Sequence, residues 1–219
     1  NRGIAQEKVV ALWEHLGDDY FLRETFADVA RHTEAILNHP ENGGPLVLLG
    51  KADDRNYQGA AEVFVYTQDA PNLFAATVAA LSQLNLTIAD AKIITSTSNF
   101  SLDTYIIMEE NGSHIGDDPA RAQQIVKKLQ KALVDPKKYP EIVHRRMPRA
   151  LKHFRIPTEV VISNDIAHRR TVLELVALDR PGLLARIALI LDRHGIRLHR
   201  AKINTLGSRA EDVFWVSGA

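Results

Sequence analysis

The sequence predicts an α+β protein in which an N-terminal helical segment precedes two ββαββα repeats, the second without its last helix. Three observations carry this. Residues 60–110 and 171–216 can be laid over each other in sequence. Within each, short apolar runs of strand length alternate with longer stretches of helical periodicity. Ahead of both, residues 4–39 carry helical spacing alone.

In that first segment Ile4, Val9, Leu12, Trp13 and Leu16 recur at helical intervals and Gly17 stops the run. A second helix begins near Thr25, whose hydroxyl can cap it. Phe26, Val29, Thr33, Ile36 and Leu37 are expected to face inward, with Arg31 and Glu34 turned to water. Pro40, Gly43, Gly44 and Pro45 break the chain. The runs 46–49 and 60–66 read as strands. Asp69-Ala70-Pro71 opens a helix to about Leu84, with Leu73, Phe74, Thr77, Val78 and Leu81 as its apolar stripe. Strands over 86–96 and 101–109 follow. Asp118-Pro119 starts another helix, proline being suited to the first turn, and Ile125, Val126, Leu129 and Leu133 form its buried face.

Residues 135–157 break the pattern. Pro136, Pro140, Pro148 and Pro157 stand among Lys137, Lys138, Arg145, Arg146, Arg149, Lys152 and Arg155, which reads as a basic linker. Strands at 160–163 and 171–178 then return. Asp179-Arg180-Pro181-Gly182 opens a helix with Leu183, Leu184, Ile187 and Leu191 inward, closed at His194-Gly195. Strands at 196–206 and 211–216 end the pattern. The chain divides into residues 1–44, 45–136, a linker at 137–155, and 156–219.

The repeat fixes this architecture, because both halves must obey one plan. At an offset of 110 residues Asp69 falls on Asp179, Pro71 on Pro181, Leu73 on Leu183, Leu81 on Leu191, and Ala91-Lys92-Ile93 on Ala201-Lys202-Ile203. From Asp103 and Asp212 the offset is 109, a one-residue slip in the intervening turn. The ββαββα order is the ferredoxin-like arrangement with one strand moved to the front. Without the last helix, the second sheet would expose a face that the helix should cover. The natural protein is therefore expected to continue past Ala219.

Composition narrows the function. Lys+Arg and Asp+Glu balance at 27 each, which removes the excess cation on which general nucleic-acid binding rests. Only Tyr139 and Phe154 interleave the basic linker, so it reads as a connector. With no cysteine there are no disulfides, thiolate metal sites or thiol nucleophiles, as suits a reducing compartment. No apolar run approaches the roughly 18 residues of a membrane span. The nine histidines show neither His-x-His nor His-Glu-x-x-His spacing, so no metal site is expected. Asp-x-Asp, His-Asp and Gly-x-x-x-x-Gly-Lys are absent too. Asp18-Asp19, Asp53-Asp54 and Asp117-Asp118 suit caps and solvated loops. The segment reads as non-catalytic.

The strand-to-helix junction Asp179-Arg180-Pro181-Gly182-Leu183-Leu184 is the most informative stretch. The aspartate can accept from free amides of the first turn, the proline presets the backbone, and the glycine permits close approach. Helix N-terminal amides seat a carboxylate well, although the same residues also make an ordinary capped helix start. Asp69, Pro71 and Asn72 are the first repeat's version, with Asn72 in place of the glycine and Ala70 in place of the arginine. Asn204 and Thr205 complete the candidates.

Asp-Arg-Pro-Gly-Leu-Leu-Ala-Arg-Ile after an apolar strand, followed by Gly-Ile and Ala-Lys-Ile, resembles the ACT domain, a regulatory module that often binds amino acids where two modules meet. A closer resemblance runs through Tyr20-Phe21-Leu22-Arg23, Leu102-Asp103-Thr104-Tyr105-Ile106, Leu151-Lys152-His153-Phe154 and Leu173-Glu174-Leu175-Val176-Ala177-Leu178-Asp179. It is to the C-terminal region of bacterial bifunctional uridylyltransferase/uridylyl-removing enzymes, which modify the nitrogen-signalling protein PII. This implies a cytoplasmic, glutamine-responsive region behind catalytic domains that use Mg2+. It implies no cofactor in this segment, ACT–ACT pairing within or between chains, and L-glutamine held by the two junctions and Asn204. A protein-interaction module, or the regulatory domain of another amino-acid-responsive enzyme, is the alternative.

Overall fold

The computed structural model describes residues 4–40, 42–52, 59–109, 113–115, 118–138, 156–166, 169–206 and 208–218. Linker residues 139–155 lie outside the described residues, as do Asp53, Asp54 and Asp117. The helical segment holds α1 (Gln6–Leu16), the short α2 (Asp18–Phe21) and α3 (Phe26–Asn38). The first repeat runs β1 (Leu46–Lys51), β2 (Ala61–Gln68), α4 (Leu73–Gln83), β3 (Leu86–Thr95), β4 (Phe100–Glu109) and α5 (Pro119–Val134). The second runs β5 (Glu159–Asp165), β6 (Arg170–Leu178), α6 (Leu183–Arg193), β7 (Ile196–Lys202), the two-residue β8 (Thr205–Leu206) and β9 (Arg209–Gly218). The ββαββα order is as expected, and among the described residues no helix follows β9.

Both repeats share one antiparallel sheet in the order β1-β2-β4-β3-β7-β9-β6-β5, with β8 on β9. They join where β3 meets β7, through Asp90↔Lys202, Ala91↔Ala201 and Lys92↔Arg200. Ala91 and Ala201 are themselves repeat equivalents, so a local two-fold relation passes through their pairing. Both repeats carry the same bulge, between Ile88 and Asp90 and between Leu198 and Arg200. The one-residue slip is also visible: Thr67 pairs with Ser101, whereas Ala177 pairs with Ala210.

Strand alternation sends successive residues to opposite faces. On β2, Val63 and Val65 join the core under α4, α5 and α6, while Phe64 points to the other face against the helical segment. There Leu16, Tyr20, Val29 and Ile36 pack on Phe64, Ile94 and Leu102. Thr25 caps α3 as expected, its Oγ1 accepting from the Asp28 N–H at 3.2 Å. Thr25→Ala should cost about 1 kcal/mol, read as a lowered urea midpoint at unchanged slope.

Two expectations for α3 fail. Phe26 is in phase with Val29 and Thr33 yet is 97% exposed: it is the first residue of α3 and stands outside the cluster of Leu16, Tyr20, Val29 and Ile36. Arg31 does not turn to water but is ion-paired with Asp28 and with Glu62 on β2. His32 is buried instead, stacked on Phe64 with centroids 3.6 Å apart and its Nδ1 2.9 Å from the Tyr20 hydroxyl.

Candidate functional site

Each repeat turns from strand to helix in the same way. The Asp69 N–H donates to the Asn99 carbonyl at 3.0 Å and the Asp179 N–H to the Ser208 carbonyl at 2.8 Å, which ties both aspartates to the ends of their strands. Leu73 and Leu183 then close turns onto the carbonyls of Ala70 and Arg180. The N-cap residues are Asn72 and Gly182, both left-handed, with φ of 66° and 78°. The aspartates expected to cap these helices therefore stand three residues before the N-cap. The pair Asn72/Gly182 has a physical reason, since asparagine and glycine best tolerate positive φ.

The local two-fold relation places two clefts at the β3–β7 seam. The first, about 460 Å³, takes Asp69, Pro71, Asn72 and Asp103 from repeat 1 and Asp192 and Arg197 from repeat 2. The second, about 420 Å³, takes Asp179, Arg180, Pro181, Gly182, Leu183, Leu184 and Asn204 from repeat 2, closed by Ser82, Asn85 and Met108 of repeat 1. All eleven residues singled out from sequence, Thr205 included, thus line a seam cleft, but as two groups facing opposite repeats. Asn204 lies beyond the end of β7 rather than on the pairing strand, and its carbonyl accepts from the Glu211 N–H at 2.8 Å. Asp192 and Arg197 went unnoticed because the first cleft borrows them from repeat 2.

Buried carboxyls accompany both junctions. Asp103, fully inside, accepts from Ser101 Oγ at 2.6 Å and from the Tyr105 hydroxyl at 3.1 Å. Burial pushes its pKa up to about 7 against those two hydrogen bonds, and the neighbouring Asp69 adds to the rise. Asp69 is itself raised by burial, which Arg197 across the seam opposes. The repeat equivalent Asp212 is raised by burial to about 6 while the Asn204 backbone and Asp179 pull in opposite directions. Its Oδ1 is buried without a hydrogen-bond partner among the described residues.

A family model described as the uridylyltransferase GlnD fifth domain matches residues 1–35. The bifunctional uridylyltransferase/uridylyl-removing enzyme of Ectopseudomonas mendocina (strain ymp) is 55% identical over 217 residues, 99% of this chain and 24% of that protein. The enzyme of the same name from Azotobacter vinelandii is 54% identical over 208 residues, 95% of this chain and 23% of that protein. That from Pseudomonas putida (strain W619) is 51% identical over 217 residues, 99% of this chain and 24% of that protein. The chain is homologous to one segment of the bifunctional uridylyltransferase/uridylyl-removing enzymes. It spans about a quarter of the length of these curated relatives. No solved structure matches it. Among the described residues no helix is long and apolar enough to cross a membrane.

The uridylyltransferase fifth-domain match covers α1, α2 and most of α3, and this segment is tied to both repeats behind the seam. The buried Glu24 carboxylate receives Lys92 Nζ of β3 at 3.1 Å and Thr104 Oγ1 of β4 at 3.0 Å. One residue earlier, Arg23 donates to the His199 carbonyl of β7 at 3.1 Å, and Asp19 is ion-paired with Arg170 of β6. Arg200 and Asp90 close the seam itself at 2.8 Å. Burial, then Arg170, Arg23 and Arg197, lower the His199 pKa to about 4. The segment also assembles an unforeseen group, Asp28, His32 and Glu62, whose ligand-type atoms lie within 4.8 Å of one another. The Arg31 guanidinium is bound to both carboxylates there, so a cation already occupies their charge. The i, i+4 spacing of Asp28 and His32 was the readable half of that signal; Glu62 arrives from another element.

Proposed function

We propose that this chain is the glutamine-sensing regulatory region of an enzyme that uridylylates and deuridylylates the PII protein in the cytoplasm. Its two repeats are ACT modules paired within one chain. Catalysis and Mg2+ belong to other domains of the parent protein. The observation that carries the reading is the placement of both predicted junctions in clefts closed by the opposite repeat. A ligand in such a cleft touches both repeats, and its affinity depends on how they are set against each other. That dependence is what lets a ligand shift a conformational balance.

The helical segment supplies the route outward, since residues 19–24 contact strands of both repeats. A change in seam geometry would be felt there, next to the preceding part of the parent enzyme. High glutamine is expected to favour deuridylylation and low glutamine uridylylation. Calorimetric titration should give saturable heat with L-glutamine and little with L-glutamate, lost in Gly182→Val, whose β-branched side chain is strained at φ 78°. Absence of heat from the folded chain would sink the sensing role.

One observation favours a second reading, an interaction module. Val160 and Ile162 on β5 and Ile190 on α6 are exposed, whereas their equivalents Val47, Leu49 and Ala80 lie at the α5 flank of repeat 1. An apolar strip of this kind marks a protein contact.

A further inference from the structure

The two seam clefts share a backbone plan but differ in what the opposite repeat brings to the helix N-terminus. In the first, the Asn72 N–H donates to Asp192 Oδ1 at 3.1 Å. Asp192 closes α6 and belongs to the other repeat, so α4 already has a carboxylate at its positive end. The repeat equivalent of Asp192 is Ser82, which stands at the corresponding place in the second cleft and has no charge to offer. Among the described residues, repeat 1 brings no charged residue to the lining of that second cleft.

Behind the lining of the second cleft lies an unmet demand of the opposite sign. Asp212, 2% exposed, has a buried Oδ1 with no hydrogen-bond partner among the described residues. Its backbone contact is Asn204 and its charged neighbour is Asp179, both of which line this cleft. Its equivalent in the first cleft, Asp103, is satisfied by Ser101 and Tyr105. A buried carboxyl oxygen without a donor is costly, and an incoming ammonium group would relieve it. Arg180, exposed beside the Gly182 turn, adds a cation where the first repeat has Ala70.

We propose that the chain holds a single free α-amino acid in the second cleft, its carboxylate at the Gly182–Leu184 turn and Arg180 and its ammonium toward Asp179, in front of the buried Asp212, because Asp192 serves as a built-in carboxylate that occupies the helix N-terminus of the first cleft. The assignment rests on the glutamine reading above and says which of the two equivalent clefts takes the ligand. Asp192 is a surface residue, and Asp192→Ser only copies what repeat 1 already carries at Ser82, so the variant should fold normally.

The test is calorimetry of L-glutamine with the chain, joined to amide NMR of Asn72 and Gly182. The wild-type chain should bind one equivalent, with the Gly182 amide shifting and the Asn72 amide unmoved. Arg180→Ala should weaken this binding about tenfold or more, the effect of losing one charge-assisted hydrogen bond. Asp192→Ser should raise the stoichiometry to two and bring the Asn72 amide into the response. Two equivalents in the wild type, a responsive Asn72 there, or one equivalent in Asp192→Ser would overturn the assignment while leaving glutamine sensing intact. No binding in either protein would overturn the sensing role and this assignment together.

Discussion

Phe64→Ala should lower the stability of the chain by about 3–5 kcal/mol, a fall of roughly 6–20 °C in Tm for a protein of this size. Phe64 is fully buried on the face of β2 turned away from α4. Its ring is stacked on His32 at an interplanar angle of 9°, and Leu16, Tyr20, Val29 and Ile36 pack in the same cluster. Truncation removes the aromatic area and leaves a cavity that His32 cannot close, because the Tyr20 hydroxyl holds its ring in place. The damage should centre on the helical segment, since the opposite face of the sheet has its own core of Val63, Val65, Leu81 and Tyr105. Limited proteolysis should therefore cut the variant first in residues 1–44. A loss under about 1 kcal/mol would mean that ion pairs, not this core, hold the segment.

The architecture was legible because the sequence states it twice. A lone run such as 60–66 leaves strand and buried helix unresolved, but the same run recurring before the same junction limits both to one plan. The slip from 110 to 109 was readable as well, and it reappears as the Ser101 and Ala210 registers. What sequence overlay cannot say is which equivalents face each other. Ala91 opposite Ala201 is a tertiary fact, and it decides that Asp192 and Arg197 serve the cleft of Asp69 rather than that of Asp179. Every charge from the far side of the seam was hidden for that reason. The buried acids were hidden for another. On β4, both faces are covered, so Leu102-Asp103-Thr104-Tyr105 shows no inside–outside alternation that would mark Asp103 as buried. Helical phase likewise could not tell that Phe26 is left out while His32, one position from Arg31, goes in.

The wild-type chain should be markedly less stable at pH 8 than at pH 5, and Asp103→Asn should remove most of that difference. Asp103 is fully buried and its pKa stands near 7, above the 3.8 of an ordinary aspartate. Between about pH 4 and pH 7 the folded protein therefore holds a proton that the unfolded chain has already released. The stability linked to it is complete below about pH 4 and lost as pH rises through 7. Three pH units correspond to at most roughly 4 kcal/mol. Asp212, raised to about 6, adds in the same direction. Asp19 and Asp28, lowered despite their burial by hydrogen bonds and ion pairs to Arg170, Thr25 and Arg31, act oppositely in the acid range below the ordinary carboxylate pKa. His199, which burial and the neighbouring arginines hold near 4, also acts oppositely, since its contribution is lost as pH falls through 6.5; it offsets part of the wild-type difference and cancels in the comparison with Asp103→Asn. Asparagine at 103 mimics the protonated acid, and the Ser101 and Tyr105 hydroxyls can each turn to accept where they now donate. Urea unfolding at pH 5 and pH 8 separates the outcomes. A wild-type loss of about 1–3 kcal/mol on going to pH 8, cut by half or more in Asp103→Asn, is the expected pattern. Equal slopes in the two proteins would place the buried proton elsewhere, with Asp212 as the next group to replace.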